Sequence, residues 1–194
     1  MLEHQQPFES LSDSLDGYLA DEPGLRVRLS RPGFLLLQST SESALQDALT
    51  SEIGLEIPAA QRATTVGDYA LLWLTPAEWL LEHPPKETNA LQSALTRRLA
   101  SSLALTTDMS DAFVCCEVSG ARAAEALMSG CSLDLRPEVF PAGLVARTAL
   151  ADIPAIIWNP GEPRRLRCLI DRTFAGHLRD WLVDVTRSQR ASAR

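Results

Sequence analysis

The chain has 194 residues, with 18 basic against 25 acidic side chains, a net charge of −7 and 45% hydrophobic residues. Those proportions are globular and exclude wholesale disorder, and the acidic balance excludes nucleic acid or an anionic membrane as the main partner, because both need a basic face. Lys86 is the one lysine and stands in a Pro-Pro-Lys-Glu stretch, so a P-loop is excluded and no lysine is placed for Schiff-base chemistry.

Residues 1–24 are polar and end on Pro23-Gly24, which predicts a flexible N-terminal lead. Met1 to Phe8 has no basic-then-apolar signal pattern, and no apolar run reaches the ~20 residues that span a bilayer, so a cytoplasmic protein is expected. Leu25, Val27 and Leu29 alternate with Arg26 and Arg28 and predict a half-buried strand. Arg31-Pro32-Gly33 reads as a turn, and Phe34 to Gln38 as a buried strand. Ser41 opens a helix with Leu45, Leu49 and Ile53 every four residues, and Gly54 stands where a left-handed cap is wanted. A loop follows from Pro58 to Gly67-Asp68, then an apolar strand from Tyr69 to Leu74. Thr75-Pro76-Ala77-Glu78 has capping-box spacing and is expected to form a single helical turn before a return strand at Trp79 to Leu81. Thr88 or Asn89 caps the next helix, whose stripe is Leu91, Leu95 and Leu99, with Arg97-Arg98 at its carbonyl end.

Leu103 to Thr107 and Phe113 to Val118 read as strands around a polar corner, Asp108 to Asp111. Ser119-Gly120 starts a helix with Ala123, Ala124, Leu127 and Met128 on one side, and Gly130 ends it. Leu144 to Leu150, Pro154 to Trp158 and Leu166 to Ile170 read as strands, with a turn at Asn159 to Pro163. Thr173 begins the last helix, in which Phe174, Leu178, Trp181, Leu182 and Val185 share one face. No βαβ unit repeats, so the class is α+β, with mixed antiparallel sheets and helices. Two subdomains are expected, 25–101 and 102–188, followed by a frayed tail at 189–194.

The residues offer little chemistry. Ser110 and Ser119 are the candidate nucleophiles, but neither stands in a Gly-x-Ser-x-Gly elbow, and His177 would have to come from the last helix to complete a triad. Asp108 and Asp111 could pair for acid-base work, though a Ser/Asp corner entering a strand is ordinary turn chemistry. Cys115 and Cys116 are adjacent and, on a strand, face opposite ways, so with Cys131 and Cys168 they read as buried reduced thiols. One glycine in Val118 to Ala123 makes no dinucleotide fingerprint. Trp73, Trp79, Trp158 and Trp181 read as core or interface aromatics.

Six segments in order resemble the gamma subunit of heterotetrameric sarcosine oxidase. They are Trp73-Leu74-Thr75-Pro76-Ala77-Glu78-Trp79-Leu80-Leu81, Asp108-Met109-Ser110, Val118-Ser119-Gly120-Ala121-Arg122-Ala123, Gly130-Cys131-Ser132-Leu133-Asp134-Leu135, Phe140-Pro141-Ala142-Gly143, and Arg172-Thr173-Phe174 with Trp181-Leu182. The resemblance covers about residues 65–185. It implies a fold similar to the folate-binding domain of aminomethyltransferases, and assembly with alpha, beta and delta subunits. That complex oxidatively demethylates sarcosine to glycine. FAD, FMN, NAD, tetrahydrofolate and zinc are expected in the partner subunits, with none in this chain. Aminomethyltransferases place an Asp pair in the strand that follows the Gly turn. Leu150-Ala151-Asp152-Ile153-Pro154 has one Asp, and its Pro removes a backbone donor, so no working folate site is expected. A non-catalytic structural subunit is therefore expected, with Trp73 and Trp79 at or under a subunit contact. A free-standing folate-binding or aminomethyltransferase-like module is the alternative, and a hydrolase using Ser110 or Ser119 a third.

Overall fold

The computed structural model describes residues 17–192, with side chains to residue 188. Chain order is β1 (Gly17–Glu22), β2 (Leu25–Ser30), β3 (Gly33–Ser39), α1 (Glu42–Ile53), β4 (Ala63–Val66), β5 (Tyr69–Thr75), β6 (Glu78–His83), α2 (Thr88–Arg98) and β7 (Ala104–Asp108). It continues with β8 (Phe113–Ser119), α3 (Ala123–Met128), β9 (Val145–Leu150), β10 (Ile153–Trp158), β11 (Arg165–Asp171) and α4 (Ala175–Ser192). The fold is α+β. Six strands form one sheet in the order β1-β2-β8-β11-β10-β9, and five form another in the order β4-β5-β6-β3-β7. Every neighbouring pair is antiparallel.

The period of two along the strands builds four layers. On β3 and β6, Leu35, Leu37, Trp79 and Leu81 turn outward under α1 and α2, where they meet Leu45, Leu49, Leu91 and Leu95. Phe34 and Leu80, on the opposite face, meet Cys115, Ile156, Trp158 and Leu169 of the six-stranded sheet. Its outer face, with Val27, Val114, Cys116 and Cys168, is covered by Leu127 of α3 and Leu178 and Leu182 of α4. A strand buried on both faces loses its polar alternation, and β6 is such a strand, buried from Trp79 to His83. Each fully buried leucine contributes roughly 1.5–3 kcal/mol.

Helix α1 forms as its sequence dictates. Ser41 accepts from the Ala44 N–H, and Gly54 closes the helix at φ 68° with its N–H on the Thr50 carbonyl. Gly33 has a different task, since a Cβ there would stand 2.2 Å from the His83 ring. Nδ1 of that buried ring donates to the Pro84 carbonyl at 2.9 Å.

Several expectations change. Thr75 to Glu78 holds no helical turn; Pro76-Ala77 is the two-residue turn of the β5–β6 hairpin, with a bulge beside Trp73. Strand pairing runs right up to Thr75 and Glu78, which leaves too few residues for a helix. Thr88 and Asn89 do not cap α2; the helix follows a short turn over Pro85–Glu87, and the Thr88 hydroxyl donates to the Pro85 carbonyl. Helix α3 ends just before Gly130, as expected, and that glycine also permits a close approach, because a Cβ there would meet the Trp181 ring at 2.5 Å. Phe174 is exposed and precedes α4. The N-terminal lead ends earlier than residue 24, since Gly17–Glu22 form β1; residues 1–16 of it lie outside the described residues. Past Arg187 the backbone stays helical to Ser192, and residues 193–194 lie outside the described residues. The polar segment before Gly67 contributes β4. Each sheet also takes a strand from the other half of the chain: β2 pairs with β8, and β7 with β3.

Candidate functional site

The sequence-derived candidates for catalysis do not come together. The Ser110 hydroxyl accepts from the Phe34 N–H at 3.0 Å, while the Ser110 N–H donates to Asp108 at 2.9 Å. That is a side-chain-closed turn. Asp111 is exposed and meets Arg172 at 3.3 Å. Nε2 of His177 donates to the Ala151 carbonyl at 2.9 Å. Ser119 ends β8, opposite Arg26 on one side and Arg165 on the other. Among the described residues no hydrogen bond joins His177 to either serine.

The Ala151 carbonyl belongs to a tight turn. Ala151 and Asp152 connect β9 to β10 with φ of 52° and 64°, the left-handed pair of a two-residue hairpin turn. An alanine there is strained, and it is held at both ends: its N–H donates to the Gly130 carbonyl at 2.8 Å, and its own carbonyl takes the His177 donor. Asp152 points away, exposed. A carboxylate on an exposed turn does not fit the part of a folate-nitrogen partner inside a strand. Nor does an all-antiparallel pair of sheets supply the strand–turn–helix crossover that cradles a dinucleotide. No group of three His, Cys, Asp or Glu residues among the described residues is placed to hold a metal ion.

One polar cluster is buried, and sequence reading missed it. Glu82 on β6 and Arg167 on β11 meet between the two sheets at 2.6 Å. The guanidinium also donates to Cys115 Sγ at 3.1 Å and lies 5.6 Å from the centre of the Trp158 ring. Burial raises the Glu82 carboxyl, with Arg167 opposing the shift. Burial also pushes the Cys115 thiol up to about 11, against the pull of Arg167, so it stays protonated at neutral pH. Cys116 and Cys168 are raised further by the same cause. All four cysteines are free and buried, which describes packed thiols rather than nucleophiles. Only a charged pair at the same depth of two alternating strands could have signalled the cluster, and the long stretch of chain between the two residues hides it from local pattern.

Of the two tryptophans expected at a contact, Trp79 is 1% exposed in the layer under α1 and α2. It can underlie a contact but not make one. Trp73, its cross-strand neighbour, is partly exposed and lines a cleft with Leu74, Val139, Phe140 and Arg147.

Two antiparallel sheets packed face to face with helices outside define an α+β protein of the aminomethyltransferase fold. The aminomethyltransferase T of the glycine cleavage system from Bartonella henselae shares that fold, with a TM-score of 0.58 at 13% identity over 87% of this chain and 46% of that one. Residues 38–188 match the model of the sarcosine oxidase, gamma subunit family, and the chain belongs to that family. It is 34% identical to the sarcosine oxidase subunit gamma of Corynebacterium sp. (strain U-96), over 76% of this chain and 72% of that one. The corresponding subunit of Corynebacterium sp. (strain P-1) is 32% identical over 71% and 67%. Among solved structures, a chain of the heterotetrameric sarcosine oxidase of Corynebacterium sp. U-96, in complex with pyrrole 2-carboxylate, superposes with a TM-score of 0.79 at 28% identity, covering 92% of both chains.

Proposed function

We propose that this chain is the structural gamma subunit of a heterotetrameric sarcosine oxidase and does no chemistry itself. The observation that carries the reading is the end-to-end correspondence with a chain of such an oxidase, 92% of each partner at a TM-score of 0.79. The lack of fit between its own residues and folate, dinucleotide or metal supports the same reading. The complex would demethylate sarcosine, or a related N-methyl amine, to glycine, giving peroxide and either formaldehyde or 5,10-methylenetetrahydrofolate. FAD, FMN, NAD, tetrahydrofolate and zinc would be carried by the alpha, beta and delta subunits, in the cytoplasm. Trp73 would lie at a subunit contact, with Trp79 supporting it from beneath.

Co-expression with the other three subunits tests this. The chain should co-purify in stoichiometric amount, and the intact complex should release peroxide when sarcosine is added. A chain that stays monomeric beside those partners and binds tetrahydrofolate tightly alone would overturn the reading in favour of a free-standing folate-binding module.

A further inference from the structure

Three polar atoms between the two sheets have no hydrogen-bond partner among the described residues. They are Oε2 of Glu82, Nε of Arg167 and Nε1 of Trp158, and each is shut off from solvent. The side chains that carry them are already in contact. Oε1 of Glu82 lies 2.6 Å from Nη2 of Arg167, and the guanidinium stands 5.6 Å from the centre of the Trp158 ring. Trp158 and Arg167 are direct partners across β10 and β11, so their side chains share one face of the sheet. Oε2 shares its carboxyl carbon with Oε1, and Nε shares the guanidinium carbon with Nη2. The two unbonded atoms of the ion pair are thus the immediate neighbours of the two bonded ones.

The surroundings offer these atoms little else. The Glu82 side chain is 7% exposed and stands between Phe34 and Ala70 on the neighbouring strands. Those two residues belong, with Leu72, Leu80 and Leu169, to the apolar packing of the same layer. Polar atoms left unbonded at such a depth are costly, and protein interiors commonly satisfy them with an ordered water.

The donor and acceptor inventory identifies the occupant. Nε of Arg167 and Nε1 of Trp158 are N–H donors with nothing to accept, and Oε2 of Glu82 is an acceptor. A group that accepts twice and donates once satisfies all three, and a buried water makes about three hydrogen bonds. An anion in that place would meet the Glu82 carboxylate, and a cation the Arg167 guanidinium, so the charges on the two sides favour a neutral molecule.

We propose that one water molecule is bound between the sheets, accepting from Arg167 Nε and Trp158 Nε1 and donating to Glu82 Oε2. It turns a single-point ion pair into a closed ring and ties β10 into the contact between β6 and β11. The site belongs to the fold of this chain and stands independently of any partner subunit.

The test uses the full-length chain, alone or in the assembled complex, in crystals that diffract well enough to show ordered solvent. One density peak should lie within about 2.7–3.2 Å of all three atoms. In solution, the Trp158 indole N–H should show a nuclear Overhauser cross-peak to water, with the resonance assigned by its loss in Trp158→Phe. The paired variant Glu82→Leu with Arg167→Met leaves a single donor, too few partners to hold a water, and should lose both the density and the cross-peak. Density that survives in the paired variant would overturn the site. So would a parent structure in which the three atoms bond to each other or to another part of the chain, or a parent indole with no cross-peak to water. Bromide soaked into the parent crystals should give no anomalous signal there, and a signal would replace the water with an anion. The parent measurements decide the matter even if the paired variant does not fold.

Discussion

The layers under the helices and the layer between the sheets are held in different ways. Under α1 and α2 the contacts are leucine on leucine, with Leu35, Leu37, Leu45, Leu49, Leu91 and Leu95 all buried. Between the sheets, apolar contacts surround one ion pair, Glu82 with Arg167, stacked near Trp158. Apolar burial has no direction, so a helix can slide a little along its sheet at small cost. A buried ion pair has both direction and register: moved by one strand residue, it leaves two charges buried without partners. The difference assigns bulk stability to the apolar layers and gives the layer between the sheets a directional contact that the outer layers lack.

Three substitutions break or sharpen that contrast. Arg167→Met strands the Glu82 carboxylate and should cost about 3–5 kcal/mol in urea unfolding. The double change Arg167→Met with Glu82→Leu should return to parental stability or above, because both desolvation penalties go together. A single-change loss below about 1 kcal/mol would show that the pair does not hold the sheets. Leu45→Ala, in the layer under α1, should cost about 3 kcal/mol through lost burial and a cavity, and no second substitution to an apolar residue elsewhere should rescue it. Rescue from across the sheet would mean that this layer is as directional as the other.

The smallest effect is at Asp171, where the six-stranded sheet hands over to α4. Its carboxylate accepts from the Thr173 N–H at 2.8 Å and the Thr173 hydroxyl at 2.6 Å. Those bonds hold its carboxyl below the usual range. As pH falls, the unfolded chain therefore takes up the proton first. The contribution is complete above about pH 4, the ordinary carboxylate value, and is lost as pH falls through the lowered folded value. Asp171→Ala should cost about 1 kcal/mol at neutral pH, and the gap to the parent should close during acid titration. A gap that persists unchanged to the acid limit would refute a role for the charged form.

How much could be read in advance varied with locality. Helix α1 was legible from cap to cap because Ser41, the four-residue leucine spacing and Gly54 are all local signals. Strands β3, β5 and β8 were legible because they are apolar over their length. β1 and β4 were not, since both lie at sheet edges and are largely exposed, so neither shows alternation. The hairpin at Pro76-Ala77 is deceptive because Thr75 and Glu78 carry the residue types of a capping box; the Thr75 hydroxyl does reach Glu78, at 3.4 Å, but across a strand turn.

The amino-acid sequence by itself determined the α+β class, the helices with local caps, the buried thiols on alternating strands, and, through six ordered segments, the family. The tertiary structure alone decided which half lends a strand to which sheet, that Trp79 is inside while Trp73 is partly outside, and that Glu82 faces Arg167. The reason is physical. Helix caps, turns and periodicity act over a few residues, and their energies are written where they act. Antiparallel pairing and ion pairing act between residues brought together from distant parts of the chain, and only the packed molecule sets those distances.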